Sequence, residues 1–121
     1  MSFHSRPKYV LKKWKIYATY KDELSKFEIN DYNRIMATLK KAPKPLLQFI
    51  YSFFYEHTEI VEAYGNKRHV GTAYTNKLMK YDDYCEMVGI SRKEFNKQMT
   101  QVCLLMYEYY FEESEEQYSR R

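Results

Sequence analysis

Apolar residues recur at helical spacing along most of the chain, and the most regular stretch runs from Tyr81 to Tyr110. Gly89 interrupts this stretch and predicts a tight turn, because a positive φ costs glycine almost nothing. Ser91 then predicts the start of the next helix, and Glu94 three residues later completes a capping box. The following apolar stripe predicts one buried helix face: Phe95, Met99, Val102, Cys103 and Met106. The stretch therefore predicts two helices joined by a tight turn, as in a helix-turn-helix.

The chain before this stretch contains further helical patterns. Apolar positions from Lys8 to Phe27 favour a first helix, although alternation over Val10–Tyr20 leaves a strand open there. A second helix is expected to begin at Asn30 or Asp31, since both residue types are good N-caps.

Two prolines separate the second helix from a third. Pro43 ends the second helix, and Pro45 suits the first turn of the next one. The third helix is the most hydrophobic and is expected to be the central one. It is predicted to run to Glu62 or Ala63.

A basic segment, residues 64–80, precedes the last two helices. Its turn residues fit a short hairpin and an open loop equally well. Lys67, Arg68 and Lys77 are candidate DNA contacts if the segment acts as a wing beside the last helix. The alternative is a solvated connector.

These elements indicate one domain over residues 1–121. The chain has only 3 Gly and 3 Pro, which favours helices with short connections. The expected fold is an all-α bundle of four or five helices with a C-terminal helix-turn-helix. Its parts are N-terminal helices at 8–63, the basic loop at 64–80, and the helix-turn-helix with a long last helix at 81–113.

The sequence contains no pattern typical of an enzyme. Asp82 and Asp83 are adjacent and would point about 100° apart on a helix, and there is no glycine-rich phosphate loop. The histidines are scattered, and the two cysteines lie on predicted core faces, so neither a metal nor another cofactor is expected. No apolar run reaches the length of a membrane span and no signal peptide is apparent, which predicts a cytoplasmic protein. In that reducing compartment the two cysteines are expected to be buried free thiols.

Charge and polar chemistry favour a nucleic-acid partner. The net charge is +4, with a basic front and an acidic tail. The polar side of the last helix combines hydrogen-bond donors for phosphates with groups that can reach base edges. Its candidate DNA-binding residues are Arg92, Lys93, Asn96, Lys97 and Thr100. We refer to these five residues as the polar face. The alternative is an αα-hairpin whose polar side is merely solvated. Two interpretations are also open for the clustered Lys12, Lys13 and Lys15 near the N-terminus: contact with the phosphate backbone, or a solvated helix face, of which the second is favoured.

The end of the last helix is apolar nearly all round, which requires cover on every side. Leu104, Tyr107 and Phe111 are therefore candidate interface residues for a homodimer or a regulatory partner. The competing interpretation is that the N-terminal helix covers this surface within one chain, through Trp14 and Tyr17.

Residues Tyr81–Tyr84, Met87–Ser91 and Phe95 with its long helix resemble the C-terminal part of phage late-transcription regulators of the autolysin-regulator (ArpU) type. That part is similar to the promoter-reading last region of sigma factors. The resemblance implies a DNA-binding activator of late phage or mobile-element genes that contacts host RNA polymerase. Two other functions remain open: a protein-interaction module that never touches DNA, and an RNA-binding protein.

Overall fold

Helices account for 72% of the residues that the computed structural model describes, which are 3–65 and 68–111. The fold is therefore broadly all-α, as predicted, but the described residues form six helices instead of four or five, together with a two-stranded sheet that the prediction lacked. The elements in chain order are α1 Ser5–Thr19, α2 Lys26–Leu39, α3 Lys44–Tyr51, β1 Thr58–Glu62, α4 Val70–Ala73, β2 Tyr74–Leu78, α5 Tyr81–Val88 and α6 Arg92–Leu105. A 3₁₀ turn at Lys21–Glu23 follows α1, and α3 and α6 continue as π-helical turns at Ser52–Glu56 and Met106–Phe111.

The first two helices meet at a boundary that the apolar pattern misplaced. Val10–Tyr20 lies almost wholly in helix α1, so the strand alternative is wrong, and the helix stops at Thr19 rather than at Phe27. Helix α2 begins at Lys26, not at Asn30 or Asp31, because Ser25 caps it. The Ser25 hydroxyl accepts the N–H of Glu28, whose carboxylate in turn accepts the N–H of Ser25, which is a complete capping box.

Helix α3 begins at Lys44 with Pro45 in its first turn, as predicted, but the helical segment ends at Glu56. The prediction that it runs to Glu62 is wrong, because Thr58–Glu62 forms strand β1 and pairs antiparallel with β2. Lys15 of α1 donates to the carbonyl of Thr58 at 2.8 Å and so ties the strand pair to the bundle. The basic segment was predicted to form a short hairpin or an open loop within residues 64–80. Neither alternative describes it, because the strand that it contributes, β2, pairs with β1 before the segment, and α4 directly precedes β2.

The core is centred on the aromatic residues of α3 and its π-helical turn. Phe53 and Phe54 are fully buried. The ring of Phe53 lies 5.0 Å from that of Tyr84 and 5.2 Å from that of Phe95, measured between centroids, and so joins α5 and α6 to α3. In a π-helical turn the hydrogen bonds run from i to i+5, so adjacent side chains point closer together than in an α-helix. This geometry suits two neighbouring phenylalanines that both face the core.

Helix α2 covers the end of the last helix. Arg34 donates from its guanidinium to the carbonyl of Tyr110 at 2.5 Å and stacks over the Tyr110 ring at 4.3 Å. The Tyr110 hydroxyl donates to Asp31, which also accepts from the hydroxyl of Tyr17 at 3.2 Å. The aromatic end is therefore enclosed within the chain, by α2 at Tyr110 and by the start of α1 at Phe111. Trp14 is not part of this cover, because it packs against the Tyr55 ring at 5.1 Å.

Glu28 joins the start of α2 to the segment before β2. Its side chain is only 2% exposed, and besides the N–H of Ser25 it accepts the N–H groups of Val70 and Gly71. Burial would raise the pKa of this carboxyl, but the hydrogen bonds from Gly71, Ser25 and Val70 outweigh burial and leave the pKa below its ordinary value. A Cβ at Gly71 would lie 3.0 Å from a carboxylate oxygen of Glu28, so glycine allows this close approach.

Candidate nucleic-acid interface

The turn between α5 and α6 has the geometry that its sequence predicted. Gly89 ends α5 with φ 77° and ψ 35°, and it is the one residue with positive φ among those described. Its N–H and that of Ile90 both donate to the carbonyl of Cys85, at 2.9 and 3.1 Å. Ser91 caps α6 by accepting the N–H of Glu94 at 3.0 Å. Only this half of the predicted capping box forms, and the Glu94 carboxylate accepts a hydrogen bond from Gln98 instead of from the N–H of Ser91.

Helix α6 separates its two sides as the spacing predicted. The whole predicted apolar stripe is buried, and Phe95, Met99 and Val102 have no exposed surface. All five residues of the polar face are exposed. Because the buried stripe fixes the rotation of α6 about its axis, the polar face must point to solvent.

Arg92 is held in place at the beginning of α6. Its guanidinium donates to Asp82 at 2.6 Å and to Asn96 at 3.2 Å, and it lies 4.8 Å from the centre of the Tyr81 ring. Both members of the Arg92–Asp82 pair are well exposed, so the pair adds little to stability. Its effect is to orient Arg92 at the edge of the polar face, where it occupies one lone pair of the Asn96 side-chain oxygen.

Of the candidate DNA contacts in the basic segment, the structure places Lys77 near Arg92 and Arg68 elsewhere. Lys77 is exposed on β2, opposite Glu59 in the strand register, and it shares a groove with Arg92. Arg68 lines a different groove together with Glu62. Lys67 lies outside the described residues.

The groove that contains Lys77 borders the start of α6. It has a volume of about 850 Å³ and lies between α1, β2 and the start of α5. Lys8, Lys12 and Lys80 also line it, together with Tyr81. None of these four was among the predicted site residues. The spacing of Lys8 and Lys12, four residues apart on one helix, was the signal that could have indicated them.

The three candidate interface residues differ in exposure. Leu104 is 56% exposed, and it follows Lys93 and Lys97 on one outward stripe of α6, at intervals of four and seven residues. Tyr107 is half-buried and stacks on Phe3, with the ring centroids 5.2 Å apart. Phe111 is only 6% exposed and lies beneath the guanidinium of Arg6. The prediction of a free apolar surface at Phe111 is therefore wrong, because the start of α1 covers it.

The two cysteines are buried free thiols, as predicted. Burial raises the pKa of Cys103 to about 11, which makes this thiol a poor nucleophile at neutral pH. Among the described residues, no group of three His, Cys, Asp or Glu side chains is arranged to hold a metal ion. No helix in that part of the chain is both long and apolar enough to cross a membrane.

Comparison of the chain with protein-family models, with curated proteins and with solved structures gave no match.

Proposed function

We propose that the chain is a DNA-binding transcription regulator in which α5, the Gly89 turn and α6 act as a helix-turn-helix. The observation that carries this proposal is the exposed polar face of α6, which directly follows a tight turn while the opposite face is locked in the core. A recognition helix needs this combination, because its first turns must enter the major groove while its other side stays anchored.

The polar face divides into two roles. Lys93 and Lys97 lie one turn apart and suit contacts to phosphates, which give affinity without base preference. Asn96 suits a bidentate contact to adenine, which needs both its oxygen and its amide N–H₂. In the free protein the Asn96 oxygen accepts from Arg92, and its second lone pair and the amide N–H₂ stay available for a base. Arg92 therefore orients Asn96 without blocking the contact to adenine.

The biological setting of the proposal depends on the resemblance of the Tyr81–Tyr110 stretch to ArpU-type regulators. By that resemblance the chain would activate late phage or mobile-element genes in the host cytoplasm, together with host RNA polymerase.

The test is selection from a pool of random duplex DNA at two salt concentrations, followed by sequencing of the retained fraction. The parent should enrich a defined motif. Asn96→Ala should weaken binding to that motif by about 1–3 kcal/mol and relax preference at one or two positions. Asn33→Ala is the matched control, since Asn33 is an exposed asparagine on α2. Failure of the parent to retain any duplex at low salt would refute the proposal.

A second candidate function is a protein-interaction module that does not touch DNA. The exposed Leu104 favours it, because a large apolar side chain in the open often marks an interface. The burial of Phe111 and Tyr110 counts against the broad aromatic surface first expected for such a module. The same selection separates the two functions, since an interaction module would enrich no DNA motif.

A further inference from the structure

We propose that the groove between α1, β2 and the start of α5 binds the sugar-phosphate backbone of duplex DNA beside the segment that α6 reads. This inference rests on the proposed function and extends it to a second surface. It assigns a role to α1 and, for Lys12, takes up the less favoured of the two sequence interpretations, contact with the phosphate backbone.

The charges along the groove favour an anion. Five cationic side chains line it, against two carboxylates: Lys8, Lys12, Lys77, Lys80 and Arg92 face Asp82 and Asp83. One of the carboxylates, Asp82, is already paired with Arg92. The net charge of the groove lining is therefore positive. Arg92 can exchange its carboxylate partner, Asp82, for a phosphate.

The lysines of α1 divide between internal contacts and this groove. Lys13 lies 3.9 Å from Asp31, and Lys15 donates to the carbonyl of Thr58, so both are engaged within the chain. Lys8 and Lys12 lie one helical turn apart on the side that faces the groove. Their placement on the groove side leaves both cations at a surface that an external polyanion can reach.

Tyr81 positions two of the cations. The Nζ of Lys8 lies 4.7 Å and the Cζ of Arg92 lies 4.8 Å from the centre of its ring. The ring is itself fixed by Phe95, with the centroids 4.5 Å apart, so the aromatic core sets where both charges stand. Tyr81 thus holds two of the cations that line the groove.

The occupant is an extended polyanion because the cations are spread over several elements. They come from α1, from β2 and its following residues, and from the first residue of α6, along a groove of about 850 Å³. A single phosphate would leave most of this volume and most of these charges unused. Arg92 belongs both to the groove and to the polar face of α6, so one strand of a duplex read by α6 would pass directly into the groove.

The experiment measures the salt dependence of binding to the motif selected by the parent. The Lys8→Gln, Lys12→Gln double variant should reduce the slope of log affinity against log salt by about 1.8, since each phosphate contact on B-DNA contributes about 0.9. The base preference in the selection should stay unchanged, because these lysines touch only the backbone. The matched control is Lys21→Gln, Lys26→Gln, which removes the same charge from exposed positions outside the groove.

A second variant tests the groove in case the Lys8→Gln, Lys12→Gln variant does not fold. Lys8 is half-buried against Tyr81, whereas Lys77 and Lys80 are exposed, so Lys77→Gln, Lys80→Gln should keep the fold and reduce the slope by a similar amount. If the parent binds its motif and both groove variants keep the slope of the parent, the groove inference is wrong while the proposed function stands. If the control lowers the slope as much as the groove variants, the effect is general charge and the inference is equally wrong. A parent that binds no duplex overturns both proposals.

Discussion

Replacing Glu28 by glutamine tests whether one buried carboxylate joins helix α2 to the segment before β2. The glutamine side chain would keep almost the same shape but would present an N–H₂ group where the carboxylate accepts backbone N–H groups from Ser25, Val70 and Gly71. At least one of these donors would then face another donor. Since the side chain is 2% exposed, water cannot take over the lost contact.

The expected cost follows from these contacts. Leaving one buried backbone N–H without a partner costs about 1–3 kcal/mol. The hydrogen bonds that remain lose their charge, and charge-assisted bonds are about twice as strong as neutral ones. We therefore expect Glu28→Gln to lower the free energy of unfolding by about 2–4 kcal/mol at neutral pH.

The effect should depend on pH in one direction. The pKa of Glu28 in the folded protein lies below its ordinary value of 4.5, so the carboxylate stabilises the fold above that value. This contribution is lost as the pH falls through the folded pKa. The difference between the parent and the variant should accordingly be largest at neutral pH and should shrink in acid.

The assay is urea unfolding followed by the fluorescence of Trp14, the single tryptophan, which is 7% exposed in the fold. Glu86→Gln is the matched control, because Glu86 is exposed on α5. Equal stability of the Glu28 and Glu86 variants at neutral pH would refute the role given to Glu28. So would a difference that stays constant down to strongly acidic pH.

Two further predictions concern α5 and α6. Gly89→Ala should destabilise the protein by about 1–2 kcal/mol through the left-handed backbone alone, since no atom lies within 4 Å of the added Cβ. Ser91→Ala should cost about 0.5–2 kcal/mol of stability, because it leaves a helix N–H without its acceptor. Melting temperatures that stay unchanged in both variants would contradict the turn geometry. Leu104→Glu should abolish any homodimer seen by light scattering, whereas Met87→Glu, at another exposed apolar position, should not. A parent that is monomeric at all concentrations would exclude a homodimer through Leu104.

Local signals were sufficient for the turn and for α6. Gly89, Ser91 and the stripe beginning at Phe95 act within a few residues of each other, so a sequence window contains all the interactions that define them. The start of α2 was also encoded locally, by Ser25 and Glu28, but the apolar residues Leu24 and Phe27 suggested one continuous helix.

Strand β1 could not be predicted from local signals. Thr58–Glu62 continues a hydrophobic helix in sequence, and it becomes a strand because it pairs with residues 74–78 and receives a hydrogen bond from Lys15. These partners are distant along the chain. The groove was missed for the same reason, since Lys8 and Arg92 come together only through the ring of Tyr81.

If α6 reads DNA as proposed, the position of Leu104 makes two uses of this helix compete. Thr100 and Lys97 precede it by four and seven residues on the same stripe, which corresponds to about 6 and 10 Å along the helix axis. A protein partner that buries about 800 Å² per side would cover these residues when it docks on Leu104. Such a partner, whether a second copy or another protein, would therefore displace DNA from the polar face instead of adding a second half-site, and raising its concentration would lower promoter occupancy.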